Sequence, residues 1–126
     1  MKALDADVVI GFLDPADAHH ARAVRAISGA LEAHEPLVMS ASAYSEVLVH
    51  ASTRDARAIV DGFVDDAGIQ VHPVDRRTAS SAAEIRGRHR SLRLPDALAL
   101  ASALQHDAEL LTFARRLLRV AAAEAV

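Results

Sequence analysis

The stretch "LRLPDALALASALQHDAELLTFARRL" (92–117) decides the fold. Pro95 sits where a helix tolerates a residue without an N–H, in the first turn. Residues 95–106 behind it are apolar almost all the way round, and a helix without a polar face is one that other elements cover. "AELLTF" (108–113) then reads as a short buried strand, and "ARRLLRVAAAEAV" (114–126) as a closing helix. A buried helix, a short strand and another helix in quick succession point to a parallel sheet with helical crossovers.

The same alternation runs through the rest of the chain. "KALD" (2–5) is a short apolar strand ending in an acid, and "ADVVIGFLDP" (6–15) a short helix or turn that closes before Pro15. In 17–35, His20, Val24, Ile27 and Leu31 recur at helical spacing. "PLVMS" (36–40) is a second strand, and Ser40 or Ser42 caps a helix over 41–52. A helix over 54–67 sets Ala56, Ile59, Val60, Phe63 and Ala67 on one side, and Gly68 stops it. "IQVHPV" (69–74) is a third strand, followed by a helix over 75–90. The expectation is one α/β domain over 1–126, a short parallel sheet of four to five strands with helices on both faces in three layers.

Composition narrows the function classes. The chain has 126 residues, enough to bury a core without staples. It is 52% hydrophobic but only 3% aromatic, so alanine and aliphatic side chains pack the interior. The absence of cysteine excludes a disulfide scaffold and thiolate zinc sites. No apolar run approaches the ~18 residues of a membrane span, and no signal peptide is apparent, so a soluble cytoplasmic protein is expected. A formal net charge of -3 argues against gripping nucleic acid by bulk charge alone.

Acids fall at the ends of the expected strands, where open α/β sheets place their sites. Asp5 ends the first strand and Thr112 the fourth; Glu46 lies one turn into the helix after strand two, and Asp96 in the first turn of the buried helix. Each has an ordinary explanation: Asp5 bonds the next turn, Glu46 reaches water, and Asp96 complements the helix dipole. Together they are three carboxylates on three elements that converge. Crowded carboxylates raise one another's pKa unless a cation intervenes. Oxygen-only ligands suit Mg²⁺ or Mn²⁺, and such a cluster suits phosphodiester hydrolysis.

"LDADVVIGFLDPADAHHARA" (4–23), "SASAYSEVLV" (40–49) and the 92–117 stretch resemble the PIN-domain ribonucleases, in particular the VapC toxins of bacterial toxin–antitoxin pairs. The resemblance covers nearly the whole chain, and Leu-Pro-Asp-Ala opening an alanine-rich buried helix is its most specific part. It implies that Asp5, Glu46 and Asp96 are the family's three catalytic, metal-holding acids. It implies further that Asp7 braces the first acid and that Thr112 is the hydroxyl residue near the metal. Endonucleolytic cleavage of RNA with Mg²⁺ or Mn²⁺, a homodimer, and inhibition by a small VapB-like antitoxin are the properties the family would lend.

One position departs from the family pattern. A fourth aspartate is usual two residues after the hydroxyl, and here Ala114 stands there. Asp107 and Glu109 lie at the other end of the strand, roughly 10 Å away at about 3.3 Å per residue. The alternative function is therefore a PIN fold that binds RNA or protein but cleaves weakly. A receiver-type phosphate-signalling domain needs a lysine after a late strand, and Lys2 is the sole lysine. His19 and His20 are adjacent and do not share a helix face, so His20 is expected to pack rather than ligate. "RGRHRSLR" (86–93) is a basic cluster that is either a solvated helix end or a contact for RNA phosphate or antitoxin.

Overall fold

A computed structural model describes residues 1–125. Four strands form one parallel sheet in the order β3-β2-β1-β4: β1 Lys2–Leu4, β2 Leu37–Ser40, β3 Gln70–His72 and β4 Glu109–Leu111. Seven helices connect and cover them: α1 Ala6–Leu13, α2 His20–Glu32, α3 Ala41–His50, α4 Arg54–Asp66, α5 Arg76–Arg88, α6 Leu94–Gln105 and α7 Arg115–Glu124. The sheet has four strands, within the expected four to five, and each strand is shorter than its apolar run. "IQVHPV" contributes only Gln70–His72 to the ladder.

The two-residue period of the strands sorts the core into two halves. Leu4, Leu37 and Met39 point to one face, where Val8, Val9, Ile27, Val47 and Val60 from α1 to α4 meet them. Ala3 and Val38, the alternate positions, pack with Ala103 of α6 on the other face. Beyond them Ile85, Leu100, Leu117 and Val120 join α5, α6 and α7. Helix α6 is the central helix its sequence describes, although Leu94 and Leu104 at its ends are exposed.

Two helical stripes differ from the expectation. In α2 the buried residues are Ala23, Ile27 and Ala30, while Leu31 is exposed. In α4 they are Val60 and Val64, while Ile59 is exposed. Small residues let α2 approach closely: a Cβ on Gly11 of α1 would stand 3.2 Å from the Cβ of Ala23. At that tight crossing Ala23 and Ala30 face inward beside Ile27, while Leu31 is left outside.

The caps are local and largely as the residue types dictate. Ser40, not Ser42, caps α3 by accepting the Ala43 N–H at 3.0 Å. Thr53 and Asp75 cap α4 and α5 in the same way. Helix α2 begins at His20, three residues later than expected, because Asp17 accepts the His19 N–H and closes a turn of its own. Gly68 follows α4 with φ +66°, the left-handed conformation glycine adopts without strain.

Candidate functional site

Strand order reverses direction at β1, which has β2 on one side and β4 on the other. Open α/β sheets leave a crevice outside the carboxyl ends of the strands at such a point. Leu4 pairs with Leu111, so the next residues on these two strands, Asp5 and Thr112, leave the sheet side by side. The Asp5 N–H still donates to the Leu111 carbonyl at 3.0 Å.

Asp5 caps α1 and is only 5% exposed. One carboxylate oxygen, Oδ1, accepts the Ala6 N–H at 2.9 Å, and the other, Oδ2, accepts the Thr112 hydroxyl at 2.8 Å. The Thr112 oxygen in turn accepts the Ala114 N–H at 3.1 Å. Asp7, in the first turn of α1, accepts the Phe113 N–H at 2.9 Å and lies 3.3 Å from the Thr112 hydroxyl. Asp5 and Asp7 thus hold the exit of β4 between them, with Thr112 giving its one proton to Asp5.

Glu46 and Asp96 enter from the neighbouring helices. Glu46 lies in the second turn of α3 and Asp96 in the first turn of α6, and both are half-buried. Burial chiefly, then the Asp7 charge, pushes the Asp5 carboxyl up to about 7, with Asp96 adding to the rise. Asp7 is raised by burial, against the bonds it accepts. Burial also raises Glu46 and Asp96; the Arg93 charge opposes both, while Asp96 and Asp7 push Glu46 further up. All four acids therefore share one electrostatic environment, short of positive charge.

Arg93 was grouped by sequence with the basic run before α6, yet its charge acts on Glu46 and Asp96. Its spacing, three residues before Asp96 at the start of the same helix, is the signal that could have placed it. The two histidines separate as expected. His20 Nδ1 donates to the Gly11 carbonyl at 2.8 Å, tying α2 to α1. His19 stacks on Phe113 with ring centroids 4.8 Å apart, and Arg22 lies over the same ring at 4.6 Å. His19 thereby comes near enough to Asp7 to lower its pKa. Ala114 occupies the N-cap of α7 and offers no side-chain cap.

Among the described residues, no three acids or imidazoles stand close enough to cage one ion. The donors are nonetheless all carboxylate oxygens that raise one another's pKa. That set fits a small hard cation which keeps several waters and takes only one or two carboxylates, the habit of Mg²⁺. It does not fit a closed structural site.

A short parallel sheet with an acidic crevice at its switch point defines a three-layer α/β domain of one particular kind. The sequence matches the family model of the PIN domain over residues 2–123, and the chain belongs to that family. Three solved structures illustrate how far the likeness of fold extends. A toxin–antitoxin complex from Klebsiella pneumoniae aligns with TM-score 0.69 at 24% identity, over 89% of this chain and 85% of that one. FitAcB from Neisseria gonorrhoeae gives 0.73 at 21%, over 97% and 94%. The sarcin–ricin-loop-cleaving toxin VapC20 of Mycobacterium tuberculosis gives 0.74 at 17%, over 94% of both chains. No curated protein matches the sequence.

Proposed function

We propose that the protein is a metal-dependent endoribonuclease, the toxin of a toxin–antitoxin module, acting in the cytoplasm. What supports the proposal is the exit of β1 and β4, where Asp5 and Asp7 hold Thr112 and Phe113 by hydrogen bonds, Asp96 raises the Asp5 pKa, and Asp7 raises that of Glu46. Among the described residues no helix is long and apolar enough to cross a membrane. The Klebsiella neighbour, itself a toxin–antitoxin complex, supports an antitoxin partner. A homodimer is proposed on the family resemblance alone.

Asp5, Asp96 and Glu46 would hold Mg²⁺ or Mn²⁺, one or two of them directly and the rest through the waters the ion keeps. When bound, the ion supplies an activated water and neutralises charge on the phosphodiester in the transition state. The chain's own contribution is orientation. Thr112 fixes one oxygen of Asp5 and the Ala6 N–H fixes the other, so the carboxylate cannot rotate. Asp7 pins the Phe113 N–H and keeps the end of β4 against α1. Arg93 offsets part of the repulsion between Glu46 and Asp96.

Ala114 favours a second reading, a PIN domain that binds RNA or a partner with little cleavage, because the crevice lacks a carboxylate on α7. Cleavage of a structured RNA in Mn²⁺ by the wild type, Asp5→Asn and Asp96→Asn separates the two. The nuclease proposal expects each substitution to lower the rate by about 10²-fold, the order seen when one transition-state contact is removed. Equal cleavage by all three would show a contaminant and end the catalytic reading.

A further inference from the structure

A second polar feature lies outside the acidic crevice. Arg88, His89, Arg90 and Ser91 face Arg116 and Arg119 across a cleft of about 610 Å³ between the end of α5 and α7. Four of the chain's 14 basic residues line this one cleft, although the net charge is -3. The other nine of the 13 arginines lie elsewhere, and among the described residues no other four share one cleft lining.

The walls are braced from within. Arg116 Nη1 donates to the Ser91 carbonyl at 2.7 Å and holds the loop between α5 and α6 against α7. Glu124 accepts from Arg88 Nε at 3.0 Å, from Arg88 Nη2 at 2.5 Å and from His89 Nε2 at 2.9 Å. Arg90 and Arg119 are exposed, and among the described residues neither has an ion-pair or hydrogen-bond partner. Two guanidinium groups are thus left to meet a ligand, on a frame that the other two fix.

Both walls are continuous along the chain with segments that carry the acidic site. Arg93 and Asp96 follow Ser91 on one side, while Thr112 and Ala114 precede Arg116 on the other. The apolar lining is limited to Val120 and Ala123. Helical or extended peptides dock through apolar anchors, which this cleft does not supply. Guanidinium forks, a hydroxyl and backbone groups are instead the usual partners of phosphate oxygens.

We infer that this arginine cleft binds backbone phosphates of RNA flanking the scissile bond, with Arg90 and Arg119 as the contacting residues. The inference rests on the ribonuclease reading for the identity of the strand, and its test separates the two. A fluorescein-labelled single-stranded RNA of about 14 nucleotides is titrated by anisotropy in EDTA, where no metal-dependent cleavage occurs. Arg90→Ala/Arg119→Ala should weaken binding about tenfold near 0.1 M salt, and lower the slope of log K against log salt by about 1.4 for two lost single-strand phosphate contacts. Asp5→Asn should bind at least as well as the wild type.

Unchanged affinity and slope in the double variant would overturn the inference, as would absence of RNA binding by the wild type. Wild-type cleavage in Mn²⁺ beside an unaffected double variant removes the cleft alone. The expected binding loss without any Mn²⁺-dependent cleavage removes the nuclease reading and keeps the cleft. A labelled polyglutamate peptide is the contrasting probe: weakening confined to it would assign the cleft to an acidic protein segment and overturn the nucleic-acid inference.

Discussion

Replacing Asp5 by asparagine should make the metal-free protein more stable, while removing its proposed activity. Asp5 is 5% exposed, so solvent screens it little. Its carboxyl is pushed from the usual 3.8 to about 7, chiefly by burial and by Asp7. Holding it ionised at pH 8 then costs about 4 kcal/mol of native stability, because each unit of difference between folded and unfolded pKa is worth about 1.4 kcal/mol. Asparagine removes the charge and is nearly isosteric: its Oδ1 can still accept the Ala6 N–H, while its Nδ2 donates to the Thr112 oxygen and the Thr112 hydroxyl turns to Asp7.

The sign follows from proton binding. Between pH 4 and pH 7 the folded chain holds a proton on Asp5 that the unfolded chain has released, so stability falls as pH rises through this window. The wild type should therefore lose ground to Asp5→Asn from pH 4 upward and reach the full deficit above pH 7. Relaxation and water entry reduce the ideal figure, so a gain of about 2–4 kcal/mol is expected at pH 8, or about 8–16 °C in Tm for a domain of this size. The assay is thermal and urea unfolding in EDTA at pH 4.5 and pH 8. Millimolar Mn²⁺ should narrow the gap at pH 8, since a ligand that binds only the folded state stabilises it by mass action. An Asp5→Asn variant less stable than the wild type at pH 8 in EDTA would refute the reasoning.

Other perturbations test separate parts of the structure. Ala114→Asp should raise Mn²⁺-dependent RNA cleavage severalfold, read from initial rates, by adding a carboxylate at the N-cap of α7. Glu124, held down to about 2 by Arg88 and His89, contributes stability above pH 4.5 that is lost as pH falls toward 2; Glu124→Gln should lower Tm at pH 6 and match the wild type near pH 2. Gly29→Ala meets nothing within 4 Å inside α2 and should gain about 0.5–1 kcal/mol in urea unfolding. Gly11→Ala, pressed against Ala23, should fail to show that gain and lose stability instead. Ile27→Ala, in the wholly buried α2 interface, should cost about 2–5 kcal/mol.

The elements were legible because each carries its own signal. Pro95 and the all-apolar α6 announce a covered helix; Gly68 and Ser40 mark a stop and a start. What sequence could not supply depends on contacts across the chain. Ile59 and Leu31 look like core residues by spacing, yet both are exposed, because the side a helix buries is set by its neighbours, as at the close crossing of Gly11 and Ala23 that seats α2. The acids could be listed from strand ends, but the 2.8 Å bond joining Asp5 to Thr112 spans 107 positions and follows from the Leu4–Leu111 register. Arg93 is hidden among neighbours of the same type, since only its place at the start of α6, three residues before Asp96, sets its charge against that acid.

Asp5 and Thr112 have two tasks that cannot be separated by an activity assay. Asp5 closes the first turn of α1 and accepts the hydroxyl that links β1 to β4, so it belongs to the framework as much as to the crevice. An alanine at position 5 would remove the cap, worth about 1 kcal/mol, and leave the Thr112 hydroxyl only its longer 3.3 Å contact to Asp7 while also relieving the buried charge. Lost activity in that variant would say little about chemistry. Asparagine keeps the cap and the link to Thr112, with that one hydrogen bond reversed, and removes the charge, so activity that falls while stability rises isolates the carboxylate's proposed role. That opposition is the mark of a site whose charge the fold tolerates at a cost, and it is the pattern a cation-binding crevice requires.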